Sequence, residues 1–162
     1  MAIVTTALKA ATGNSQRGRN VYLVENTLDF ANITADPSAS DVVQAITIPA
    51  GTMIMGAGME VVTSITGANG TDVVAALGTD TDPNKYVDAF DLDGASAGAY
   101  APAVSGTGGS EIQGTANTLD VTLTATNADG MTSGKLRVWC AMMDVTEMGD
   151  TSANEVDRDT LA

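Results

Sequence analysis

The chain has 162 residues, 44% of them apolar, and its 20 acidic side chains against 7 basic ones leave a net charge of −13. That is enough for one domain with a sizeable core, too apolar for wholesale disorder, and too acidic to grip a nucleic-acid backbone or an anionic membrane. The sequence contains no histidine, which removes Ser-His-Asp and Cys-His catalysis and any His-ligated zinc or iron, and aromatic residues are only 4% of it.

Residues 1–20 read as an extended arm of Ala, Thr, Ser, Asn and Gly. The arm holds Lys9, Arg17 and Arg19 and no acid, whereas the remainder has 4 basic and 20 acidic residues. A basic arm on an acidic body is suited to docking on a neighbouring copy, so these three cations are interface candidates. Met1–Leu8 lacks the charged start and long apolar core of a signal peptide, and no apolar run approaches the roughly 20 residues of a membrane helix. The sequons at Asn32 and Asn69 are accordingly expected to be unused.

Val21–Glu25 (VYLVE) predicts a short strand, which Phe30–Ile33 extends or pairs with. Ala35–Asp41 is a loop with turn chemistry at Asp36-Pro37. Residues 41–65 read as strand, tight turn, strand. Val42, Ile46 and Ile48 share one face, Pro49 fixes φ, and Gly51 is free to take φ > 0. Asn69-Gly70 carries a strong hairpin signal and leads into a strand at Thr71–Leu77. Gly78–Lys85 is a polar loop, Tyr86–Leu92 alternates weakly, and Asp93–Gly109 is irregular apart from an extended piece near Tyr100. Thr118–Thr126 alternates cleanly, with Leu119, Val121, Leu123 and Ala125 on one face and Asp120, Thr122, Thr124 and Thr126 on the other.

After a turn at Asn127–Gly130, Lys135–Val145 places Leu136, Val138, Cys140 and Met142 on one face. Arg137, Trp139, Ala141 and Met143 form the other, which is not polar, so both faces are expected to be covered. Cys140 is the single cysteine; it reads as a small buried hydrophobe. Trp139 is an interface candidate. Residues 147–162 read as an acidic tail, expected to be flexible or bound to a partner. About eight short strands punctuated by Gly, Asn, Asp and Pro predict an all-β fold. The expected form is an antiparallel, jelly-roll-like β-sandwich over residues 21–146, flanked by the extended N-terminal arm and the tail.

Chemical motifs are few. Gly94-Ala95-Ser96-Ala97-Gly98 matches a nucleophile elbow in letters, but it lies in a small-residue loop and the usual histidine base is missing. Gly106-Thr107-Gly108-Gly109 lacks the Lys-Ser/Thr and the helix of a phosphate loop. Asp80, Asp82, Asn84 and Asp88 offer oxygens at alternate positions that suit calcium, with Asp91 at the twelfth place. Lys85 stands where such a loop needs glycine and no helices flank it, so a solvated acidic turn is the stronger reading. No cofactor is otherwise expected. Glycoside hydrolysis by a carboxylate pair is disfavoured because the aromatics that line sugar clefts are scarce.

Four phrases carry a resemblance. Asp41–Met55 (DVVQAITIPAGTMIM), Met59–Ser64 (MEVVTS), Asp82–Tyr100 (DPNKYVDAFDLDGASAGAY) and Thr118–Val145 with its ending LRVWCAMMDV resemble, in order and spacing, small virion proteins of tailed bacteriophages. Capsid decoration (cement) proteins are the most similar, over roughly residues 20–146. The resemblance implies a non-enzymatic β-sandwich that is made in the host cytoplasm and binds the outer capsid surface. There it would clamp neighbouring major capsid subunits against the pressure of packaged DNA. It also implies a symmetric homo-oligomer, commonly a trimer and otherwise a dimer, and brings no catalytic residues. Three rival readings are a phage tail or fibre component, a carbohydrate-binding β-sandwich that stacks sugars on Tyr86, Phe90 or Tyr100 beside the acidic loop, and a secreted bacterial surface domain, which the lack of a signal peptide disfavours.

Overall fold

Alternating apolar side chains build nine strands among the described residues of the computed structural model, which are 3–4, 20–33, 40–68, 73–93, 95–101, 109–124 and 129–145. The strands are β1 (Ile3–Val4), β2 (Tyr22–Asp29), β3 (Val42–Ile48), β4 (Thr52–Ala68), β5 (Val74–Gly78), β6 (Val87–Asp91), β7 (Glu111–Gln113), β8 (Asn117–Thr124) and β9 (Asp129–Asp144). No helix among the described residues is long and apolar enough to cross a membrane.

The strands pair antiparallel as β2 with β9, β3 with β8, β4 with β7 and β5 with β6. This is a long two-stranded ribbon folded back on itself. The β4–β9 and β5–β8 ladders then close it into two sheets, β2-β9-β4-β7 and β1-β3-β8-β5-β6, with β1 lying parallel on the edge of β3. That order is a jelly roll, so the expected sandwich is present.

Successive strands of a jelly roll mostly change sheets, and this alters how two turns are used. Pro49–Gly51 joins β3 in one sheet to β4 in the other, and so forms an arch. Gly51 adopts φ 73°, a value that side chains with a Cβ tolerate poorly. Its N–H donates to the Gln113 carbonyl at 2.7 Å, and its carbonyl accepts from the Val145 N–H at 2.9 Å, stitching the arch to β7 and the end of β9. Likewise β4 and β5 lie in opposite sheets, so they do not form the hairpin that Asn69-Gly70 signalled; that dipeptide lies outside the described residues.

Two local expectations are corrected. The ladder between β3 and β8 shifts register between Gln44 and Ile46. This bulge puts Val43 and Ala45 before it, and Ile46 and Ile48 after it, all in the core, while Val42 is only half-buried. An extra residue reverses the alternation, so Val42 does not share the face of Ile46 and Ile48. The Ala45 carbonyl at the bulge is met by Asn26 Nδ2 of the opposite sheet at 2.9 Å. Phe30–Ile33 does not extend a strand. It is a turn in which the Asn32 N–H donates to the Asp29 carbonyl, with Phe30 and Ile33 folded inward.

The core lies between the sheets. Leu136, Val138 and Cys140 of β9 and Ile54, Met59 and Val61 of β4 face Val43, Leu119, Val121, Leu123 and Leu77, all essentially without solvent contact. Each such aliphatic side chain contributes about 1.5–3 kcal/mol by leaving water. Along the other edge of β4, β7 pairs with Thr52–Ile54. Further along, Gly98–Ala101 bonds to Met59 and Val61 as the extended piece expected near Tyr100.

Candidate assembly surfaces

The acidic loop is a closed backbone turn. Thr79 and Asp82 exchange N–H···O=C bonds at 3.0 and 3.2 Å, and the Asp82 carbonyl also accepts from the Lys85 N–H at 3.3 Å. The side chains turn apart. Asp80 Oδ1 accepts from Asn117 Nδ2 at 2.7 Å and Thr81 Oγ1 at 3.2 Å, whereas Asn84 Nδ2 donates to Asp88 Oδ1 at 2.5 Å. Among the described residues no group of three or more Asp, Glu, His or Cys side chains is placed to hold a metal ion. The structure therefore does not gather Asp80, Asp82 and Asp88 into one ligand set, and Asp80 Oδ1 and Asp88 Oδ1 each accept a hydrogen bond from a neighbouring amide.

The sugar-stacking platform is also corrected. Tyr86, the residue before β6, and Phe90 on β6 are core residues at 2% and 7% exposure; of the three rings only Tyr100, at 63%, is open to solvent. Burial pushes the Tyr86 hydroxyl well above its ordinary range. Beside the loop, a shallow recess of about 410 Å³ is lined by Gln44, Thr47, Pro49, Asp80 and Asn117 among others, with no aromatic ring on its wall.

Asp120 lies on the polar face of β8, yet it is 4% exposed, and among the described residues its Oδ1 has no hydrogen-bond partner. Burial pushes its carboxyl up to about 6, against a hydrogen bond from Thr118 that lowers it, with the nearby Asp80 charge adding a smaller push upward. Thr118 is also bonded by Gln44 Nε2 at 3.2 Å. Cys140 is fully buried, as expected, and burial lifts its thiol to about 12.

The outer face of the β2-β9-β4-β7 sheet divides in two. At one end Arg137 pairs with Glu60 and, at 3.9 Å, with Glu25, and Lys135 pairs with Asp29 at 3.3 Å. At the other end the cross-strand neighbours are Leu23 with Ala141, Met53 with Met143, and Met53 with Ile112. Trp139 lies between the two halves, half-buried on this face. Its cross-strand partner is Gly58, and a Cβ at that position would lie 2.7 Å from Trp139 Cε2. The indole therefore rests on bare backbone. Of the other interface candidates, Lys9, Arg17 and Arg19 lie outside the described residues. Ser96 is exposed in the turn before Ala99, and the chain has no histidine to serve it. The exposed Leu23 and Ile112 were not singled out in the sequence, because a single outward apolar residue on a strand has no signature of its own.

No protein-family model matches the sequence, and no curated protein matches it. Solved structures do. A chain in the capsid asymmetric unit of cyanophage Pam1 aligns with TM-score 0.57 and 21% identity, covering 82% of this chain and 90% of that one. A chain in the capsid of Ralstonia phage GP4 aligns with TM-score 0.59 and 17% identity, covering 87% of this chain and 100% of that one. The β-sandwich of this chain is thus a fold also found, over nearly its whole length, in chains of phage capsids.

Proposed function

We propose that the chain is a non-enzymatic structural protein of a phage virion that binds the outer capsid surface and stabilises contacts between major capsid subunits. The observation that carries this reading is the fold shared with chains of two phage capsids, each covered to at least 90% of its own length. The physics of the chain supports it. Two rigid sheets with a continuous aliphatic core suit a load-bearing clip, and an acidic exterior keeps a particle soluble. Self-association as a trimer, or otherwise a dimer, belongs to the same reading. So does the arm carrying Lys9, Arg17 and Arg19, which would lie on an acidic surface of a neighbour.

The test is co-sedimentation of the purified chain with capsids that lack it. Saturable binding is expected, and deletion of residues 2–19 should weaken it. No binding by the full chain, or attachment only to tails, would reject the decoration role.

A further inference from the structure

The apolar half of the outer β2-β9-β4-β7 face is assigned here as the surface through which copies of this chain meet; we propose it on the ground of charge and placement together. This rests on the homo-oligomer of the proposed function and names the face that forms it.

Leu23, Met53, Met55, Ile112, Ala141 and Met143 occupy neighbouring positions on β2, β4, β7 and β9. Leu23, Ile112 and Met55 are 62%, 59% and 43% exposed, and Val21, one position before β2, adds 56%. Among the described residues no charged side chain lies at the outward positions of this half; Glu25, opposite Trp139 and two residues from Leu23, borders it, and Arg137 and Glu60 lie beyond Trp139. Methionine, aromatic and branched aliphatic side chains without charge are the composition of the buried centre of a homo-oligomer interface.

Charge selects the occupant. Each copy carries −13, so two copies repel wherever their acids approach. A basic partner would gain most by meeting the acids. A second copy gains only where acids are absent, and this half-face is such a place. The flanking ion pairs of Arg137 would then form part of a polar rim around an apolar centre. A standard interface takes about 800 Å² from each partner, more than the 300–600 Å² of the largest apolar patch on a typical monomer, and the rim supplies the difference.

The experiment measures mass by light scattering and sedimentation on the wild type and on Leu23→Glu, Ile112→Glu and Val62→Glu. Wild type is expected at a whole multiple of 16.4 kDa. Leu23→Glu and Ile112→Glu should each fall to monomer, a weakening of self-association by at least about 30-fold. Val62, 42% exposed on β4 past Glu60, is the control, and Val62→Glu should keep the wild-type mass. Leu23 and Ile112 are already mostly in water, so their variants should keep the β-sheet circular dichroism; if one unfolds, the other decides. A monomeric wild type, or folded Leu23→Glu and Ile112→Glu proteins that keep its mass, would overturn the assignment. Capsid co-sedimentation of the same proteins is read separately, so loss of the oligomer and loss of the virion role are distinguishable.

Discussion

Asp120→Asn should stabilise the protein, and more so at higher pH. The carboxyl has an ordinary value of 3.8 and stands at about 6 in the folded chain, chiefly because burial disfavours its charge. The folded state therefore holds the proton more tightly than the unfolded chain does. The resulting penalty is absent below the unfolded value, grows as pH rises from about 4 to 6, and is complete above it. At about 1.36 kcal/mol per unit the full penalty is about 3 kcal/mol at pH 8 and about half that at pH 5. Asparagine cannot ionise. Its amide oxygen can keep the bond from Thr118, while its nitrogen inherits the unpartnered position of Oδ1 at a cost of about 1 kcal/mol. The net gain is about 2 kcal/mol at pH 8, or roughly 4–8 °C in Tm for a chain of this size, and well under 1 kcal/mol at pH 5. Urea unfolding of both proteins at the two pH values measures it. A wild-type–variant difference that does not change with pH would refute the assignment of a buried, costly charge to Asp120.

Three further outcomes are expected. Gly58→Ala places a methyl group against the Trp139 indole, so it should lower stability by about 1–3 kcal/mol and shift tryptophan emission; unchanged emission would mean that the ring does not lie on the strand. Calcium should leave the melting temperature unchanged, because the acidic loop does not gather its carboxylates; a rise at millimolar calcium would restore the metal reading of Asp80, Asp82, Asn84 and Asp88. Cys140 should resist a thiol reagent in the native protein and react at the rate of unfolding, and rapid native labelling would contradict its burial.

The elements legible in the sequence were those whose two faces differ in polarity. Leu119, Val121 and Leu123, and Leu136, Val138, Cys140 and Met142, all fall in the core, as their period requires. Where a bulge reverses the period, as at Ala45, alternation assigns Val42 to the wrong face, because nothing in VVQAITI marks the extra residue. Strand order was not readable for a related reason. Asn-Gly chemistry specifies a tight turn, but whether the flanking strands pair or separate depends on which sheet each can bury against. β7 is three residues long, too short for a period, and its place follows from the open edge of β4.

Surface properties were less legible still. Tyr86 and Phe90 look alike as stacking residues or as core, and Asp120 has the alternation of an exposed residue although it is buried. A sheet face acquires its character from four strands at once, so the joining of Leu23, Ala141, Met143, Met53 and Ile112 appears only with the register. The lack of histidine needed no fold to be read, and it removes catalysis by a histidine base and any His-ligated metal.

Electron cryo-microscopy of phage virions assembled with and without this chain tests the proposed virion role most directly. The account predicts two-sheet sandwich density on the outer capsid surface, bridging neighbouring major capsid subunits, with β2, β4, β7 and β9 of adjoining copies in contact. Sandwich density on the tail alone, or a capsid whose surface lacks it, would contradict the account.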